Sequence, residues 1–425
     1  MTLDRRRFLT RTSFGLAGAL AAFPPGETAT PIVPSQSDPL RDGWEAVRGQ
    51  FALARDYIHL GGFLLASHPA PVRDAIEAHR RGLDENPVDY LHAQGPRCEH
   101  EVLDAAAHYL GARSSDIALT DSTTMGLGLL YNGLNLRAGQ EILTTQHDYY
   151  ATRESLNLKA KRTGASIRTI PLYERLDAVS EDSIVEAIVQ ALRPETRVIA
   201  LTWVHSSTGL KLPIRRIADA LDRVNAGREE PDRALLCVDG VHGFGVEDVA
   251  VAALGCDFFV AGCHKWLFGP RGTGLLWGHP RAWPAVTPTI PSFTYAGTPA
   301  SAMTPGGFHA FEHRWALTQA FQFHQQLGRS RVAARIHELN RQFKEGLAQM
   351  PSVTLYTPRS QTLSAGLICF DVAGLDPRTV VQRLAHQRII ATVTPYATSY
   401  ARVAPSLLNS PEEIDRALAA IRGLA

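Results

Sequence analysis

The chain has 425 residues, 45% of them hydrophobic and 20% charged, with a formal net charge of +1. This is ordinary material for a soluble globular fold with a large core and two domains, and the near-zero charge gives no reason to expect a nucleic-acid partner. No apolar stretch is long and charge-free enough to form a permanent membrane span.

The N-terminus stands apart from the rest. Asp4-Arg5-Arg6-Arg7-Phe8-Leu9 precedes an apolar run from Gly15 to Phe23, and Pro24-Pro25-Gly26 follows. A basic start, a short apolar stretch and a break are the layout of a removable export signal, here residues 1–24. Paired arginines before Phe-Leu resemble the twin-arginine signal, whose export machinery carries folded cargo. The expected location is periplasmic or otherwise exported, with no membrane span in the mature chain. Residues 25–42, rich in Pro, Ser, Thr and Asp, read as a linker.

Beyond residue 42, apolar strands alternate with amphipathic helices. Thr120-Asp121-Ser122-Thr123-Thr124 leads from an apolar end into a helix expected over Met125–Leu134. Buried strands are expected at Glu141–Thr145, Arg197–Val204, Ala234–Asp239, Asp257–Ala261 and Gly274–Trp277. Ser183-Ile184-Val185-Glu186 resembles a capping box opening a helix that stops near Pro194. The alternation predicts an α/β fold, with a mostly parallel central sheet and helices on both faces. This large domain spans residues 43–305, N-terminal segment included. After the loop Thr287–Gly307 come a helical stretch from Phe311 to about Met350, a strand at Ser364–Val372, and a helix capped by Ser410 with Pro411 in its first turn. Ile414, Leu418 and Ile421 form one stripe of that helix. A smaller C-terminal α+β domain over residues 306–425 follows, joined by residues near the mature N-terminus.

Five cysteines are an odd number, and all but Cys98 lie in apolar runs, so buried thiols are expected rather than a disulfide scaffold. His309 and His313 lie four apart, as do His100 and Asp104, but no third ligand has metal-site spacing, and no metal centre is expected.

Ligands of open α/β sheets bind beyond the carboxyl ends of the strands. Asp239, His242, His264 and Lys265 all fall just past such ends. A lysine there can form a Schiff base with an aldehyde cofactor, and an aspartate at a neighbouring strand end can bind a pyridine nitrogen. Pyridoxal phosphate chemistry needs those two groups from its protein. Ser122, Thr123 and Thr124, at the start of a helix, offer hydroxyls and backbone N–H groups as a phosphate cradle. Each residue alone is commonplace. Their order along the chain is informative: phosphate-type cap, Asp-x-x-His, His-Lys-Trp, then a glycine turn.

Three segments carry a closer resemblance: Val238-Asp239-Gly240-Val241-His242, the run from Cys263-His264-Lys265-Trp266 to Gly272, and Ser206-Ser207-Thr208-Gly209-Leu210-Lys211-Leu212-Pro213. From about Tyr57 to the C-terminus the chain resembles the class V aminotransferase family of fold type I pyridoxal phosphate enzymes, and within it the isopenicillin N epimerase-like branch. The resemblance implies that Lys265 bonds the cofactor, Asp239 binds its pyridine nitrogen and His242 lies against it. It assigns the phosphate to Thr123, Thr124 and His264, ring stacking to His147 or Tyr149, and a position near the cofactor's O3′ side to Ser206. Arg402 matches the arginine that grips the substrate α-carboxylate, a role suited to a planar fork. A homodimer and an amino acid or amine substrate are also implied. Exported members are associated with tailoring the side chains of peptide siderophores, which makes a modified peptide amine an expected substrate as well.

Two departures stand out. Many relatives carry serine where this chain has Gly262, so one phosphate contact is lost or comes from elsewhere, with the Ala296-Gly297-Thr298 loop of a second subunit as a candidate. His59-Leu60-Gly61-Gly62 replaces the usual asparagine segment near the substrate. Transaminase-type chemistry is the first expectation and racemisation or epimerisation the second. Lyase-type activity (decarboxylation or β/γ-elimination) would use the same core groups and is a lesser expectation. A cysteine desulfurase, which needs a thiol on a mobile loop shortly before the arginine, is disfavoured because Ile389–Ala401 contains no cysteine. A non-catalytic scaffold is disfavoured by the presence of the whole residue set.

Overall fold

The computed structural model describes residues 43–294 and 296–424. The segments read as export signal and linker lie outside the described residues. A short strand, β1 (Ile58–His59), precedes two helices, Ala70–Glu85 and Pro87–Leu110. Next come β2 (Ile117–Thr120), β3 (Glu141–Thr145), β4 (Ser166–Ile170), β5 (Thr196–Thr202), β6 (Leu235–Asp239), β7 (Phe258–Gly262) and β8 (Gly274–Gly278). They form a seven-stranded sheet in the order β2-β8-β7-β6-β5-β3-β4. Every pairing in it is parallel except the two made by β8.

Alternate residues of each central strand serve opposite cores, as a sheet covered on both faces requires. Leu143, Ile199, Leu201, Leu236, Val238 and Phe259 pack into one apolar cluster; Ile142, Val198, Ala200, Leu235, Cys237 and Phe258 pack into another. Strand β4 has no counterpart among the sequence expectations. It lies at the edge of the sheet, with Ser166 and Thr169 exposed, and so lacks the apolar run that marks the buried strands. The helix before β5 spans Glu181–Ala191 and is capped by Ser180 rather than Ser183. The box pairs those two serines: the Ser183 N–H donates to Ser180 Oγ and the Ser180 N–H to Ser183 Oγ, each at 3.0 Å.

The helical stretch after residue 310 divides into Phe311–Trp315, Leu317–Leu327 and Arg329–Ala348. Gly328, at φ +83°, breaks the last two apart, a conformation glycine adopts without a Cβ penalty. Then come β9 (Val353–Leu355), β10 (Ile368–Val372), β11 (Ile389–Ile390), β12 (Thr392–Val393) and β13 (Ala401–Val403). Of these, β12-β13-β10-β9 form a four-stranded antiparallel sheet, whereas β11 pairs in parallel with β1. Strand β10 begins later than residue 364 because the preceding segment is engaged elsewhere: the Lys211 N–H donates to the Leu363 carbonyl at 2.9 Å and Ser364 bridges to Leu210. The C-terminal helix, Pro411–Arg422, opens on a Ser410–Glu413 capping box and buries Ile414, Leu418 and Ile421. These pack with Leu339, Phe343, Phe370 and Val403, and with Ile58 and Leu60 from the N-terminal segment. That segment also sends Val47, Phe51 and Phe63 into the large core, so it serves both domains. All five cysteines are free and buried, Cys98 included.

Candidate active site

The carboxyl ends of β5, β6 and β7 meet at a cleft of about 280 Å³. Its wall includes Ser122, Thr123, Thr124, Tyr149, Ser206, Asp239, His242, His264, Lys265 and Arg402. Sequence positions from 122 to 402 therefore converge on one space. His147 does not line it. That imidazole lies 4.3 Å from the Tyr173 ring and nearly parallel to it, 5.5 Å from the His205 ring, with Nδ1 3.2 Å from the Tyr173 hydroxyl. Asp148, fully buried beside it, accepts from Thr145 N at 2.8 Å and from Thr202 N at 2.6 Å, tying the ends of β3 and β5 together. With those two turned inward, Tyr149 is the residue of this turn that reaches the cleft.

Asp239 ends β6 with 2% exposure and accepts one hydrogen bond, from Val241 N at 3.2 Å. Burial pushes its carboxyl up to about 6, against the pull of the Val241 N–H and the Lys265 charge. Lys265 follows β7, with its Nζ 3.4 Å from Nε2 of His242. Burial lowers its ammonium to about 8; Asp239 opposes that shift and Arg402 reinforces it. The helix after β2 starts at Thr123, two residues earlier than Met125, because the Ser122 side chain caps it by accepting from Met125 N at 3.1 Å. Thr123 Oγ1 accepts from Gly262 N at 2.8 Å. The Nδ1 of His264 is buried and has no hydrogen-bond partner among the described residues.

Arg402, in β13, is 4% exposed. It donates to the Ser206 carbonyl at 2.8 Å and to Thr392 Oγ1 at 3.2 Å, and its guanidinium lies 4.5 Å from the centre of the Phe63 ring. No aspartate or glutamate pairs with it among the described residues. Ser206 Oγ shares a 2.6 Å hydrogen bond with the Tyr396 hydroxyl. Cys369 sits opposite Arg402 in the strand register and is fully buried, its thiol pushed up to about 12 by burial. Such a thiol is inert. Phe63, Leu64, Thr202 and Pro395 also line the cleft, although no motif marked them in the sequence. They come from loops and strand ends that only the fold brings together.

The aminotransferase class-V family matches residues 66–404. The chain belongs to that family. Among curated relatives it is 28% identical to isopenicillin N epimerase of Streptomyces clavuligerus, covering 90% of this chain and 98% of that protein. A probable cysteine desulfurase of Vibrio cholerae is 27% identical over 89% of this chain and 97% of its own. Among solved structures, C-DES with glycine covalently linked to its pyridoxal phosphate superimposes with a TM-score of 0.80 at 24% identity, over 88% of this chain and 98% of that one. A cysteine desulfurase of Thermococcus onnurineus gives a TM-score of 0.76 at 20% identity, over 89% and 97%. The fold is therefore that of fold type I pyridoxal phosphate enzymes.

Pyridoxal phosphate is the cofactor of this family, and the cleft has the groups to hold it. The helix starting at Thr123 presents free N–H groups beside Ser122, Thr123 and Thr124, and the unpartnered His264 Nδ1 adds another polar contact for a phosphate. Asp239 would supply a buried anion for a protonated pyridine nitrogen, and Lys265 would supply the amine. In the Ala296-Gly297-Thr298 loop, Thr298 accepts from Ser301 N at 3.1 Å as a helix cap.

The geometry around Gly262 leads to a prediction. A Cβ there would stand 3.0 Å from both His264 Cε1 and Thr123 Oγ1. Substituting Gly262→Ser should therefore displace the cradle and weaken cofactor binding, by the roughly 1–3 kcal/mol of an overpacked site. Titrating the cofactor-free variant with pyridoxal phosphate measures this, and an affinity equal to wild type would contradict it.

Proposed function

We propose that this enzyme carries out transaminase-type chemistry on a carboxylate-bearing amino compound. The observation that carries this reading is Arg402, a guanidinium buried at the cleft wall without a carboxylate partner among the described residues. Buried charges are normally paired, and a substrate α-carboxylate would complete this one with two charge-assisted bonds. Bound in the cleft, pyridoxal phosphate supplies an electron sink for bonds at the substrate's α-carbon. The protein's own part is to hold that carbon between Arg402 and Lys265, and Lys265 Nζ would take and return the α-proton. Its lowered proton affinity suits that exchange near neutral pH.

Epimerisation is the second reading, supported by the Ser206–Tyr396 hydroxyl pair beside Arg402 and by the likeness to isopenicillin N epimerase. A desulfurase reading lacks a usable thiol, since Cys369 is inert and Ile389–Ala401 has none. Export through the twin-arginine machinery and assembly as a homodimer belong to the same proposal. The first rests on Arg5-Arg6-Arg7-Phe8-Leu9. The second draws support from Phe293 and Phe308, which stand 75% and 82% exposed.

The deciding experiment is a visible spectrum of the holoenzyme with a panel of amino acids. Lasting bleaching of the bound cofactor's band with release of a keto acid supports transamination. A band that persists while the α-hydrogen exchanges with solvent moves epimerisation to the front. The substitution Arg402→Ala should weaken carboxylate substrates by about 1.5–3 kcal/mol, roughly ten- to hundredfold in kcat/KM. It should leave carboxylate-free amines nearly unaffected.

A further inference from the structure

Trp266 follows the reactive lysine directly, and its indole is 3% exposed. Nε1 of that indole donates to Nδ1 of His242 at 3.4 Å, while the other ring nitrogen, Nε2, lies 3.4 Å from Lys265 Nζ. An indole N–H can only donate a hydrogen bond. The nitrogen it meets must be an acceptor, so a neutral His242 carries its single proton on Nε2. That proton points at Lys265, which must accept it through a free amine lone pair.

We infer that Trp266 is a positioning residue: by fixing the tautomer of His242 it holds Lys265 as the neutral amine that proton transfer requires. The interior is shaped around the indole. A Cβ at Gly366 would stand 2.3 Å from Trp266 Cη2, so a larger residue there would expel the ring. Phe63 flanks both partners, 6.0 Å from the His242 ring and 6.5 Å from the indole. His242 stays neutral because burial drives its pKa well below the usual range, and Lys265, Arg402 and His264 all act in the same direction. Around Lys265, only Asp239 favours the ammonium, while burial and Arg402 oppose it. Without the indole, the imidazole could turn its lone pair toward Lys265 and stabilise the ammonium instead.

The inference rests on Lys265 being the reacting lysine, but the tautomer can be read independently of turnover. Nitrogen NMR of the full-length chain labelled in histidine, with and without bound pyridoxal phosphate, reports which ring nitrogen bears the proton. Its signal is assigned by its absence from His242→Gln. The expected pattern is an Nε2–H imidazole in both states at about pH 8 and above, where Lys265 is the neutral amine. An Nδ1–H tautomer or an imidazolium overturns the inference without any variant of Trp266. In Trp266→Phe, capture of pyridoxal phosphate by the cofactor-free chain should shift its pH midpoint upward by about one unit. An unmoved midpoint overturns the link to Lys265. Failure of wild type to bind the cofactor would instead count against the functional reading, while the NMR pattern still decided the tautomer.

Discussion

Replacing Lys265 with alanine should abolish the visible band of the lysine-linked cofactor and reduce turnover by at least about 10²–10⁴-fold, the usual contribution of a positioned acid/base. Among the described residues that line the cleft, none matches Lys265 as an acid/base near neutral pH. Among cleft residues, His242 is held neutral with its pKa well below the usual range. The Tyr149 phenol is pushed up to about 12, chiefly by burial, and Arg402 has no proton to exchange near neutral pH. Pyridoxal phosphate should still bind non-covalently, because the helix N-terminus at Thr123, His264 and Asp239 remain. Two measurements therefore separate the roles: absorption for the covalent link, and equilibrium dialysis for retention of the cofactor. A variant that kept both the band and full turnover would overturn the assignment of Lys265.

The residues most legible in the sequence are those whose chemistry depends on a local pattern. Asp239, His242, His264 and Lys265 each follow a short apolar run, and a buried parallel strand reads as just such a run. The central strands were legible for the same reason, and β4 was not, because an edge strand with exposed Ser166 and Thr169 loses that signature. Local hydroxyls mislead by less than a turn: Ser122 caps a helix expected to start at Met125, and Ser180 caps one whose capping box is expected at Ser183. What the sequence could not convey is contact between distant positions. That Tyr149 lines the cleft and His147 does not goes with Asp148 turning inward to bind the end of β5. The donor-to-acceptor chain from Trp266 through His242 to Lys265 spans residues 242 to 266 and depends on space left by Gly366. Neither arrangement has a one-dimensional signature.

Asp239→Asn should have opposite effects on function and on the stability of the cofactor-free chain. In function, an amide cannot hold a proton on a pyridine nitrogen, so the buried charge pair is lost. Removing one member of such a pair costs about 3–5 kcal/mol, or roughly two to four orders of magnitude in rate. In stability the sign reverses. Burial has raised the Asp239 carboxyl from 3.8 to about 6, so the folded chain resists its ionisation. A group whose folded value is raised contributes stability that is present below its unfolded value and is lost as pH climbs through the folded one. Cofactor-free wild type should therefore lose stability between about pH 4 and pH 6 through this group. The asparagine variant, which keeps an acceptor for Val241 N, should escape that loss and melt higher at pH 7, with the gap closing toward pH 4. Adding pyridoxal phosphate should reverse the order, because the wild-type carboxylate then gains a cationic partner and the amide does not. Melting curves of both proteins at pH 4 and pH 7, with and without cofactor, measure all four states. If the cofactor stabilised both proteins equally, Asp239 would not be the partner of the pyridine nitrogen.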